Sequence, residues 1–121
     1  MTEQETKDFT LRVLREEFAS RGIEIRTIIL FGSRASGNAR PGSDWDFIVV
    51  CKGHLERNEK TDIWLSINRK LAEQRIDADV LIKSEPDFEK DKFDTGKVTY
   101  YALKHGVSVL NIRRKRPVCG S

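Results

Sequence analysis

With 121 residues, the chain has the length of one domain and enough material to bury a core, but little to spare for a second, substrate-binding domain. Its net charge of +3 is not spread over a basic surface. Arg113, Arg114, Lys115 and Arg116 carry four positive charges near the C-terminus and leave the remainder one unit negative, so a general nucleic-acid-binding face is not expected.

Taken in chain order, Thr2 to Arg21 reads as an amphipathic helix. Thr2 and Glu5 have capping-box spacing, Phe9, Val13, Leu14 and Phe18 share one face, and Gly22 marks the stop. Ile25 to Phe31 reads as a strand whose nearly continuous apolar end suits burial on both faces. Ser33 to Gly37 allows one helical turn, and residues 38–42 read as a loop. Trp45 to Cys51 is a second strand, broken at Gly53 and His54, with Cys51 a small core residue. Arg57 to Gln74 is a helix with Ile63, Trp64, Ile67 and Leu71 on its apolar stripe. Ile76 to Ile82 is a third strand, followed by a segment containing Pro86. Thr95 to Lys104 is a last helix with Val98, Tyr101 and Ala102 inward, Gly106 ends it, and Val107 to Leu110 is a short extended segment. The expected fold class is α/β (α+β), a small mixed β-sheet with helices packed against it. Residues 1–112 are read as the domain and residues 113–121 as a basic, flexible and solvated tail. With neither a signal peptide nor an apolar run near 18 residues, no membrane partner is expected and the location reads as cytoplasmic.

Two local patterns carry chemistry. Gly32-Ser33 follows a buried strand. Gly32 lets a phosphate approach the backbone and tolerates positive φ, and Ser33 can donate a hydroxyl or cap the next turn. An ordinary strand-to-helix turn would use the same residues. Asp44 and Asp46 lie two apart at the start of a strand and so share a face, opposite Trp45 and Phe47. Carboxylates about 4 Å apart repel by roughly 4 kcal/mol at an effective dielectric near 20, which a cation or a hydrogen-bond network relieves. Mg²⁺ suits such a pair, because it takes oxygen ligands and keeps room for waters or phosphates. Alternatively, Asp44 caps a turn and Asp46 is exposed. Asp77 and Asp79 share a face of the third strand. Placed beside the second strand, an Asp there would join Asp44 and Asp46, and three carboxylates can hold two metals about 3.5–4 Å apart for in-line transfer.

Competing patterns fall short. The Gly32 to Gly37 spacing is that of a P-loop, but Asn38-Ala39 stands where Lys-Ser/Thr belongs. An EF-hand starting at Asp44 would need Gly at Val49 and an acid at Leu55. His54 and His105 have no partner at zinc-ligand spacing, and Cys51 and Cys119 form no motif.

Gly32-Ser33, ten residues, then Asp44-X-Asp46 resembles the signature of the DNA polymerase β-type nucleotidyltransferases. The flanks agree: an apolar strand before Gly32, Arg34-Ala35 and Gly37 after it, Ser43 before Asp44, and an apolar strand after Asp46. The similarity runs from about Leu11 to Leu110, and the small size is similar to the minimal nucleotidyltransferase (MNT) branch. The resemblance implies the polymerase β-type fold, ATP as donor, and Mg²⁺, two ions, held by Asp44, Asp46 and Asp79. These three are then the catalytic residues. Asp79 is matched because the family has an Asp followed by apolar residues there, with Asp77 as fallback. Gly32 and Ser33 would contact the triphosphate, with help from Arg34. Larger relatives carry a C-terminal acceptor domain, for which no length follows Leu110. Minimal members pair with a HEPN protein as antitoxins in toxin–antitoxin systems, some by moving AMP onto a toxin tyrosine. The HEPN ribonuclease motif, Arg-X4-6-His, is absent, so the resemblance implies the antitoxin chain, in a homo- or hetero-oligomer. The expected function is nucleotidyl transfer to a HEPN toxin. Two alternatives stay open: a non-catalytic neutralising subunit anchored by aromatics such as Trp64 or Tyr100-Tyr101, and an enzyme with a small-molecule acceptor completed by a homodimer.

Overall fold

The computed structural model describes residues 1–37, 39–40, 43–94 and 98–109. The expected tail, Cys119, Leu110, Thr95 and the Val98 side chain lie outside the described residues. Helix α1 (Glu3–Ser20) starts with the capping box read from the sequence. Glu5 N donates to Thr2 Oγ1 at 3.0 Å and Thr2 N donates to Glu5 Oε1 at 2.8 Å. Its buried stripe contains Val13, Leu14 and Phe18, with Phe9 partly covered.

Strands β1 (Ile25–Phe31) and β2 (Trp45–Cys51) pair antiparallel, Leu30 opposite Phe47 and Phe31 opposite Asp46. Between them runs a single helical turn, α2 (Ser33–Ser36). Helix α3 (Arg57–Glu73) carries the chain across to β3 (Ala78–Ser84), which lies parallel to β2. After β3 come α4 (Glu85–Asp91), α5 (Val98–His105) and β4 (Val107–Ser108), which pairs antiparallel with the far side of β1. The sheet order is β3-β2-β1-β4, a mixed sheet with helices on both faces. On one face, α1 and α3 press Leu14, Phe18, Ile63 and Ile67 onto Ile28, Phe47, Val49 and Val80. On the other, Phe88 of α4 and Ala102 of α5 cover Ile29, Ile48 and Val50. Covered twice, β2 reads as an unbroken apolar run after Asp46. No helix among the described residues is long and apolar enough to cross a membrane.

The structure corrects several expectations. The third strand begins at Ala78, two residues later than read, because Ile76 belongs to the stop of α3. The N–H of Ile76 donates to Leu71 O and that of Arg75 to Ala72 O, with Arg75 left-handed at φ +58°. This is a Schellman-type stop with its apolar residue folded back. Helix α4 occupies the Pro86 segment, where the sequence reading places no element. Pro86 sits in the first turn after the Ser84 N-cap, where proline fits a helix. Trp64 lies beside rather than within its apolar stripe and is 44 % exposed. Tyr101 is 56 % exposed, while Thr99 and Ala102, three apart, face inward.

Candidate active site

The site forms where β1, β2 and β3 present their ends on one side. Gly32 leaves β1 with φ +77° and starts α2, its carbonyl accepting from Ala35 N at 3.1 Å and Ser36 N at 3.2 Å. The N–H groups of Ser33 and Arg34, in the first turn, have no acceptor within the helix. A Cβ on Gly32 would strike the Asp46 carboxylate, whose Oδ2 is nearest and whose Cγ would lie at 3.3 Å. Glycine is therefore required twice here, by its left-handed φ and by the carboxylate seated on its Cα. That contact joins the two halves of the sequence pattern.

Asp46 stands directly opposite Asp79 in the parallel β2–β3 register. Residues so paired share a face of the sheet, which puts Asp79 near enough for its charge to act on Asp46. Burial pushes the Asp46 carboxyl above the ordinary value, and the charges of Asp79 and then Asp44 push it further. Asp44 precedes β2 and is exposed, as is Asp79. Asp77 lies before β3 and has no register partner among the described strand pairs.

Among the described residues, no three His, Cys, Asp or Glu side chains are gathered closely enough to form a complete metal cage. Mg²⁺ does not require one, since it is commonly held by one or two carboxylates together with water and substrate phosphates. Hard oxygen donors, mutual repulsion at Asp46 and a side-chain-free approach at Gly32 fit a divalent cation with a phosphate chain.

Arg34 is engaged in a different way. Its side chain is 8 % exposed. Its Nη2 and Nε donate to Ser43 O at 2.9 and 3.3 Å, and the guanidinium lies 4.5 Å from the Trp45 ring centroid. Nη1 is 3.0 Å from Glu3 Oε2, an ion pair by distance without the alignment of a hydrogen bond. Ser43 in turn accepts at Oγ from Arg40 N at 2.9 Å. Arg34 thus anchors the residue immediately before Asp44. Sequence reasoning missed Glu3 and the Ser43 carbonyl as parts of this assembly. Nothing in the local pattern marks Glu3, which lies 31 positions from Arg34. A cleft of about 550 Å³ bordered by Glu3, Arg34, Ser43 and Asp77 runs behind this anchor and does not include Gly32, Asp46 or Asp79.

The family described as "Polymerase beta, Nucleotidyltransferase" matches residues 14–105. The chain belongs to that nucleotidyltransferase family. Its fold is also similar to a chain of a solved structure described as "Crystal structure of the toxin-antitoxin with AMP-PNP". The TM-score is 0.52 and the identity 16 %, over 80 % of this chain and 69 % of that one. No curated protein matches the sequence. In this nucleotidyltransferase domain the Gly32 turn, β2 and β3 all fall within the matched residues, whereas Glu3 lies before them.

Proposed function

We propose that the chain is a Mg²⁺-dependent nucleotidyltransferase that moves AMP from ATP onto a hydroxyl of a HEPN-type toxin and so acts as its antitoxin. The observation carrying this reading is the Asp46–Asp79 register pair, with Gly32 packed on Asp46. Asp44, Asp46 and Asp79 are the residues that would hold the cation, whose chemistry when bound is to neutralise charge on the phosphates.

The chain's own part is positioning. Beside Gly32, the N–H groups of Ser33 and Arg34 and the Ser33 hydroxyl receive the triphosphate. Arg34 acts through Ser43, keeping the approach to Asp44 fixed. The acceptor oxygen attacks the α-phosphorus, the α-phosphorus bond to the pyrophosphate oxygen breaks, and pyrophosphate leaves. The hydroxyl proton passes to Asp79, an exposed carboxylate on β3, the edge strand opposite Asp46. The acceptor then comes from a second molecule, a reading supported by the compact single sheet and by the toxin–antitoxin likeness of the fold.

The test is label transfer from α-labelled ATP to the protein encoded beside this one, with Mg²⁺. Transfer by wild type and its loss in Asp44→Asn support the reading. Neutralisation that survives both Asp44→Asn and Asp46→Asn, with no label on the partner, replaces it with a subunit that acts by contact alone.

A further inference from the structure

A groove separates the first half of α3 from the outer edge of β3, on the far side of the sheet from Asp46. It has a volume of about 610 Å³, apolar walls of Leu55, Trp64, Val80 and Ile82, and a rim on which Arg57 and Lys60 outnumber the single acid, Glu56. Three independent features coincide there. Strand β3 pairs only with β2 among the described residues, so its other edge offers backbone N–H and C=O groups along seven residues. Trp64 stands 44 % exposed over this edge, and Leu81, pointing to the opposite face, is 38 % exposed. Arg57, Lys60 and Trp64 follow one another at helical spacing on one face of α3. Neither cation has an ion-pair partner among the described residues.

We propose that this groove receives an extended segment of a partner protein, rich in alternating acidic and apolar residues, added as a strand to the edge of β3. Backbone pairing with β3 supplies the alignment, apolar side chains enter between Trp64 and the Val80–Ile82 wall, and carboxylates meet Arg57 and Lys60. Charge selects this occupant. The chain's own basic run, Arg113 to Arg116, has the same sign as the rim. A nucleic-acid strand would match the cations but neither the apolar walls nor the strand edge. The placement has a consequence that rests on the function proposed above. Asp79 lies on the same strand, so a segment held there delivers its protein to the edge where the acceptor must arrive.

The test measures binding to the full chain without nucleotide, so it is blind to whether transfer occurs. The probes are two fluorescent nonapeptides, alternating Glu/Val and alternating Lys/Val, and a uridine decamer. The Glu/Val peptide should bind at least tenfold more tightly than the Lys/Val peptide, quench Trp64 and shift the backbone amides of residues 80–83. The double variant Arg57→Glu, Lys60→Glu, the first exposed and the second half-buried on α3, should reverse the order of the two peptides while leaving the circular dichroism unchanged. Equal binding of the two peptides, amide shifts elsewhere, displacement of the Glu/Val peptide by the decamer, or concentration-dependent pairing of β3 with a second copy would each overturn the proposal.

Discussion

Phe47 and Asp46 are neighbours on β2 and face opposite sides of the sheet. Phe47 is fully buried between β1, β3 and the α1–α3 layer, and Val49 and Cys51 follow it on the same face. Asp46 is the one residue of β2 that is not buried. Further along its face, Ile48 and Val50 are sealed by α4 and α5, so that face is closed at one end and open at the end carrying the carboxylates. The closed face has what stability requires, close apolar packing. The open end has what stability disfavours, a partly buried Asp46 carboxylate facing the like charges of Asp79 and Asp44. Such concessions are characteristic of sites that bind or react.

The largest expected effect breaks the open end. Asp46→Asn should reduce label transfer by about a thousand-fold or more, about 4 kcal/mol of transition-state stabilisation. The same variant should be more stable than wild type at neutral pH. The folded state holds the Asp46 proton more tightly than the unfolded chain does. Asp46 therefore favours folding below its ordinary value of 3.8 and disfavours it as pH rises through the higher folded value. The urea midpoint of Asp46→Asn should lie above that of wild type at pH 7 and converge with it in acid. A midpoint that falls at pH 7 would mean Asp46 is held by partners rather than repelled.

On the closed face, Phe47→Ala should cost about 3–5 kcal/mol in urea unfolding, through lost burial and the cavity left behind. A smaller loss would show that the α1–α3 layer can collapse onto the sheet. Arg34 connects the two regions, reaching from Glu3 of α1 to Ser43 at the site. Arg34→Lys keeps the charge but loses the planar fork over Trp45 and the paired donation to Ser43 O. It should cost about 1–2 kcal/mol of stability by the same measurement. It should also lower the transfer rate more than it weakens ATP binding, because Arg34 acts through Ser43.

The smallest effect lies within the closed layer. Burial alone would raise the Glu17 carboxyl, but hydrogen bonds from Lys70, Ser66 and Arg21, with the charge of Lys70, together hold it below 4.5. Its contribution is present above that value and is lost as pH falls through the lower folded value. Glu17→Gln should flatten the acid limb of a stability-against-pH curve and leave the Asp46-dependent effect intact.

The boundaries of β1 and β2 were legible because each carries an unbroken apolar stretch, Ile28 to Phe31 and Phe47 to Cys51, ended by glycine or by charge. Likewise Thr2 and Glu5 disclosed the start of α1 through a purely local bond. The start of β3 was not legible, because Ile76 is as apolar as a strand residue and only the helix-end hydrogen bonds assign it to the stop of α3. Proline at position 86 carries opposite meanings inside a helix and in its first turn, and the Ser84 cap decides between them. At the site, Gly32, Asp44 and Asp46 stood out by spacing. Opposition of Asp79 to Asp46, rather than of Asp77, depends on a strand register set by tertiary packing. Arg34 beside Gly32-Ser33 suggested a phosphate ligand, whereas its partners Glu3 and Ser43 are brought to it only by the fold.

Gly32, Ser33, Asp44, Asp46 and Asp79 are proposed to form one nucleotide site. This grouping is tested most directly by amide NMR during titration with Mg²⁺ and a non-hydrolysable ATP analogue. A shared site gives saturable shifts centred on Gly32, Ser33, Asp46 and Asp79, dependent on Mg²⁺ and abolished in Asp46→Asn. Shifts centred instead on the cleft beside Arg75 and Asp77, or shifts indifferent to Asp46→Asn, would contradict it.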